Sequence, residues 1–112
     1  MGIDLTLVPV QWNLPGPILA HTRLDLQCRD YDLHSALRKV ATPLTVPLNW
    51  YDDDGLTEYL DDRYGTKLTF VTAHQFCEAV KGLRDYGSDW DRAVIAFVAA
   101  LAPDRRIVLW FN

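Results

Sequence analysis

Five consecutive apolar residues, Ile107-Val108-Leu109-Trp110-Phe111, place the strongest constraint on what this chain can become. Side chains alternate between the two faces of a strand, so an unbroken apolar run needs cover on both faces. The run is therefore read as an interior strand over 105–111, near the middle of a sheet. A central strand this late in the sequence ties the end of the chain into the core.

The rest of the pattern supplies the layers. Ile3, Leu5 and Leu7 alternate with Asp4 and Thr6, the period of a half-buried strand that Pro9 interrupts. Asn13-Leu14-Pro15-Gly16-Pro17 reads as a turn, and a second strand over 18–28 returns antiparallel to the first. Asp30 suits the cap of a short helix whose apolar stripe is Leu33, Ala36, Leu37 and Val40. Thr42-Pro43 stops that helix. Val46, Leu48 and Trp50 alternate as a strand, and Pro47 within it removes a ladder donor, which predicts an edge position.

Residues 51–66 are irregular, with one helical turn suggested by Leu56, Tyr59 and Leu60. Leu68, Phe70 and Val71 form the next strand. Thr72 and Gln75 fit a capping box for a helix over 73–84 with a stripe of Phe76, Ala79, Val80 and Leu83. Ser88 and Asp91 repeat that pattern for a helix over 89–101. Trp90, Ala93, Val94, Phe97, Val98 and Leu101 make its apolar face, widened by Ile95, Ala96, Ala99 and Ala100. So broad an arc predicts contact on more than one side. The expected architecture is α+β in one domain, 1–112. It has one mixed sheet of about five strands with three helices mainly on one face, in the order β-β-α-β-β-α-α-β.

Composition fits that frame. A chain of 112 residues has room for one hydrophobic core, and 49% hydrophobic with 23% charged residues is ordinary globular usage. Four Trp, five Tyr and four Phe add large apolar areas that argue against disorder. A net charge of -4 does not favour nucleic acid, which needs a clustered basic face. Cys28 and Cys77 are too few for a disulfide framework and read as free thiols in a reducing cytoplasm. No apolar stretch approaches the length of a membrane span, and no basic region precedes an apolar run as in a signal peptide.

The charge is unevenly spread. Asp52, Asp53, Asp54, Glu58, Asp61 and Asp62 put six carboxylates into eleven residues, leaving nine acids against eleven bases elsewhere. Like charges held close repel unless solvated or paired, so the segment is expected to be an exposed loop. Three readings stand: a solvated turn, a docking surface for a basic partner, and a divalent-cation site. Against the last, an EF-hand register set by Gly55 puts the first ligand at Trp50, which cannot serve. Trp50 and Tyr51 adjoin the acids as anchors adjoin a charged rim, with Tyr51 placed outward by alternation.

Other chemistry finds little support. His74 and Cys77 share a helix face, but a structural zinc site needs a second matching pair and none exists. No nucleophile elbow or dinucleotide fingerprint is present, and Gly65-Thr66-Lys67 lacks the earlier glycine of a phosphate loop. No catalytic residue, metal ligand or cofactor is assigned.

Met-Gly-Ile-Asp-Leu-Thr-Leu-Val-Pro at the start, Leu-Thr-Phe-Val-Thr-Ala in the middle and Asp-Arg-Arg-Ile-Val-Leu-Trp-Phe at the end resemble small accessory proteins encoded by phages and prophages. That resemblance carries no catalytic motif. It implies a protein that acts in the host cytoplasm by binding and blocking host machinery, such as a defence system (anti-CRISPR-like) or a nucleic-acid-handling enzyme. The expected site is Tyr51, Asp52, Asp53, Asp54, Glu58, Asp61 and Asp62, set against a basic host protein, with no direct nucleic acid and no membrane. A small metal-dependent or carboxylate-based enzyme and an assembly homodimer remain as alternatives.

Overall fold

In a computed structural model of the chain, the apolar run near the C-terminus is an interior strand with both faces covered. The structure describes residues 4–12, 18–20, 22–27, 31–52, 55–81 and 88–112. Its strands are β1 (Leu5–Trp12), β2 (Ile18–Ala20), β3 (Leu24–Asp25), β4 (Thr42–Pro43), β5 (Leu48–Asp52), β6 (Gly55–Tyr59), β7 (Thr69–Thr72) and β8 (Arg106–Phe111). Its helices are α1 (Tyr31–Val40), α2 (Ala73–Lys81) and α3 (Asp89–Ala100).

The strands form one mixed, curled sheet in the order β4-β7-β8-β1-β2-β5-β6, with β3 also paired to β1. β8 is held antiparallel between β7 and β1, in register Leu5↔Phe111 through Pro9↔Ile107 on one side and Thr69↔Leu109 through Thr72↔Arg106 on the other. β2 and β3 share the second flank of β1. The parallel pair β2–β5 makes the sheet mixed, and its crossover contains α1.

Alternation along β8 divides the core in two. Ile107, Leu109 and Phe111 join Leu5, Leu7 and Val71 beneath the helices, where Leu33 and Leu37 of α1, Phe76 of α2, and Val94 and Val98 of α3 are buried. Val108 faces the other way, with Val8, Val10, Ile18, Leu44, Leu48 and Leu68. Among the described residues, no helix contributes to this second cluster. The sheet covers it by curling, so that β5 and β6 bring Trp50 and Tyr59 against Trp110.

Capping residues set the helix starts as expected. Thr72 N donates to Gln75 Oε1 at 2.9 Å and Gln75 N donates to Thr72 Oγ1 at 3.1 Å, closing the capping box of α2. Ser88 caps α3 by accepting from Asp91 N. Asp91 also ties α3 to a neighbouring segment. Fully buried, its Oδ1 accepts from Gln27 N at 2.7 Å, while Trp90 Nε1 donates to Asp25 O at 2.6 Å. The start of α3 is thereby fastened to the segment after β3.

Several expectations are corrected. Among the described residues the sheet has eight strands rather than about five, because Thr42–Pro43 pairs with β7 instead of only stopping α1, because 18–28 is not one unbroken strand, and because 51–66 contains β6. Tyr59 lies in that strand and pairs with Leu48, so no helical turn forms there. β5 is interior, flanked by β2 and β6, since Pro47 precedes its first residue and takes no donor from the ladder. Half of the face assigned to α3 is exposed: Val94 and Val98 are buried, but Trp90, Ala93 and Phe97 are not. The Asp30 cap, the 13–17 turn and Leu83 lie outside the described residues.

The two-sided burial of β8 has a measurable consequence. Leu109→Ala should lower unfolding stability in urea by about 2–5 kcal/mol, the usual cost of a large-to-small change in a packed core. Leu56→Ala, at an exposed position, should stay within about 0.5 kcal/mol of the parent. Equal effects would show that β8 is not the two-sided strand described.

Candidate functional site

The described parts of the acidic segment are the paired strands β5 and β6 and a tight turn after them. β5 and β6 pair in the register Leu48↔Tyr59, Asn49↔Glu58, Trp50↔Thr57, Tyr51↔Leu56 and Asp52↔Gly55. Gly55 has φ +104°, which side-chain-bearing residues rarely adopt, and so suits the return from the hairpin end. Residues opposite one another in an antiparallel pair share a face. Leu48 and Trp50, with Tyr59, therefore face the second core cluster. Leu56 and Glu58 occupy the other face and are exposed.

Trp50 packs partly buried against the second core cluster, the inward member of the Trp50–Tyr51 pair. Its ring meets Tyr59 at 6.4 Å and Trp110 at 5.9 Å, both edge-on, and the Arg23 guanidinium lies 4.1 Å above it. Tyr51 and Asp52 are placed by backbone register alone, and Asp53 and Asp54 lie outside the described residues. Glu58 is exposed on β6, and Asp61 is exposed at an isolated bridge to Lys67.

Asp62 stands apart from the other acids. It is buried, and its Oδ1 accepts from Tyr64 N at 2.8 Å and Thr66 N at 3.1 Å. Its own N–H donates to Thr66 O, and Gly65, at φ +75°, donates to its carbonyl. The carboxylate thus takes the place of a backbone acceptor inside the 62–66 turn. Its negative charge is spent on folding the turn, which departs from the expectation of six solvated carboxylates acting together.

What the sequence did not single out is the apolar component of this surface. Leu56, Leu60 and Tyr64 are 50%, 52% and 54% exposed, alternating or interspersed with Glu58 and Asp61. Among the described strands, β6 stands at one end of the sheet. The legible signal was the period-2 spacing of Leu56, Glu58 and Leu60. The chemistry offered is a half-apolar, negatively charged strand edge.

The remaining candidates lie elsewhere. His74 is exposed and Cys77 is a half-buried free thiol, and both line a groove of about 260 Å³ between α2 and the end of α3. Among the described residues, no three His, Cys, Asp or Glu side chains gather closely enough to hold a metal ion. On the outer side of α2, a 3.0 Å hydrogen bond from Lys81, together with its charge, holds the Glu78 carboxyl below the usual carboxylate range. Among the described residues, no helix is long and apolar enough to cross a membrane.

Asp61 and Asp62 should therefore respond differently to substitution. Asp62→Ala should cost about 1.5–3 kcal/mol of unfolding stability, the range for hydrogen bonds to a charged acceptor. Asp61→Asn should remain within about 0.5 kcal/mol of the parent. Urea titrations of the two variants would test this, and an unaffected Asp62→Ala variant would refute the structural assignment. Comparison of the chain with protein-family models, with curated proteins and with solved structures gives no match.

Proposed function

We propose that this chain is a non-catalytic interaction protein that binds a basic protein surface through the β5–β6 hairpin and the turn after it. The observation that carries the reading is the exposed row of Leu56, Leu60 and Tyr64 set among Glu58 and Asp61 along the last strand of the described sheet and the turn after it. Apolar side chains within a charged surround give contact area, and the acids steer a positive partner and reject negative ones.

The resemblance to small phage accessory proteins gives the context of this proposal: a host protein in the cytoplasm, such as a defence or nucleic-acid-handling enzyme whose basic groove would suit an acidic ligand. The uneven charge supports the same reading, since the six acids of 52–62 leave the rest of the chain slightly basic.

With a partner in hand, neutralising Asp53, Asp54 and Asp61 together to Asn should slow association about tenfold at low salt, because steering charges act mainly on the on-rate. The melting temperature should stay level or rise slightly, since exposed like charges do not stabilise a fold. Surface-binding kinetics at low and high salt would read this. Equal association rates for parent and variant at both salts would reduce the hairpin acids to a solvated edge.

A further inference from the structure

The outward face of α3 calls for a separate explanation. From Ala93 to Leu101 the chain has nine apolar residues in succession, yet only one side of the helix packs on the sheet. Asp91, Val94 and Val98 face inward, while Ala93, Ala96, Ala99 and Ala100 are exposed, with Trp90 at 50% and Phe97 at 45%. The exposed charges of α3 are Asp89 and Arg92, both in its first turn. A helix that is apolar nearly all round is normally covered nearly all round.

We infer that α3 pairs with α3 of a second copy of this chain, antiparallel about a two-fold axis close to Ala93. The spacing of the aromatics makes the face complementary to itself. Trp90 and Phe97 are seven residues apart and so lie on one side of the helix, two turns from each other. A two-fold axis midway between them sets Trp90 of each copy against Phe97 of the other. The exposed Ala93, small enough for close helix approach, then lies at the centre. The anchor is already ordered, because the Trp90 Nε1 hydrogen bond to Asp25 O fixes that ring before any partner arrives.

The same observations select a second copy over a charged partner. The last two turns of α3 carry no charge, so the face offers nothing complementary to a basic or acidic surface. Asp89 and Arg92 fall at the rim, leaving an apolar centre, as in a protein interface. The area is modest. Two half-exposed aromatics and the alanines between them give a pairing below about 1,200 Å² in total, the class of weak and transient interfaces. The dimer is therefore concentration-dependent.

Sedimentation velocity across roughly 1 μM to 1 mM, a range that brackets a weak interface of this size, reads the assembly directly. The parent should move from its 12.8 kDa monomer towards twice that mass. Raising the salt should leave the dimer fraction unchanged or higher, as it would not for a charge-driven contact. Phe97→Glu and Ala100→Glu, both at exposed positions, should stay monomeric throughout with the parent's circular dichroism. With Cys28 and Cys77 changed to Ala, Ala93→Cys should oxidise to a linked dimer, while Thr45→Cys should not. A parent that remains at monomer mass at the top of the range would overturn the inference. So would either Glu variant associating as the parent does.

Discussion

The pairing of β1 with β8 is the contact on which the other layers depend. Five consecutive rungs join residues 5–9 to 107–111, and reciprocal hydrogen bonds between Asp4 and Asn112, 2.7 and 2.9 Å long, continue the ladder beyond them. This contact spans about a hundred residues of sequence, so its formation carries a large loop-closure cost and belongs with the slow, non-local steps of folding. Once formed, it gives both core clusters their common wall. Leu5, Leu7, Ile107 and Leu109 serve the helices, while Val8 and Val108 serve the curled half of the sheet. A change that loosens β8 therefore loosens both layers at once.

The two walls are finished by different means. Under the helices, aliphatic side chains with Phe76 and Phe111 fill the space, and His34 is buried against the Phe111 ring at 5.4 Å. On the opposite face, aromatic rings meet edge-on: Trp12 with Phe70 at 5.1 Å, and Tyr59 with Trp110 at 5.0 Å. Arginines lie over the half-buried rims of these clusters. Arg106 stacks 4.2 Å above Trp12, also within reach of Phe70, and Arg23 lies over Trp50. A guanidinium can cover an aromatic face while its edge stays hydrated, which closes a core where no helix arrives. Arg105-Arg106, two charges at a strand entry in the sequence, is thus partly a packing device. Arg105 adds a hydrogen bond to Val10 O at 3.3 Å.

Much of the fold was legible because local and tertiary signals agree. The capping box of Thr72 and Gln75, the Ser88 cap and the five-residue apolar run each specify one element, and each element forms where its signal lies. The misreadings occurred where a pattern admits two periods or where tertiary contact decides. Leu56, Tyr59 and Leu60 have helical spacing, but Tyr59 opposite Leu48 and Thr57 opposite Trp50 gain a ladder, and Tyr59 gains a place against the core. Thr42-Pro43 reads locally as a helix stop, and its pairing depends on β7 passing beside it. Within the site, charge density was plain in the sequence. The separate fate of Asp62 was not, since it depends on the turn that lets one carboxylate reach the N–H groups of both Tyr64 and Thr66.

The two exposed surfaces of this chain also explain why they need not interfere with one another. On the hairpin, the exposed apolar residues are separated by Glu58 and Asp61, so a second hairpin brought against the first would set like charges together. A sheet edge blunted in this way resists edge-to-edge self-pairing and favours a partner of opposite sign. Along α3 the exposed residues beyond the first turn are uncharged, so the same repulsion is missing and self-pairing meets no such obstacle. Joining two copies through α3 leaves β6 free in each, because β6 ends the sheet beyond β5 while α3 packs on the opposite face of the β1–β8 wall. Such an assembly presents two acidic edges on one body. A partner with two basic sites at matching separation would then gain effective concentration for the second contact without any new interaction.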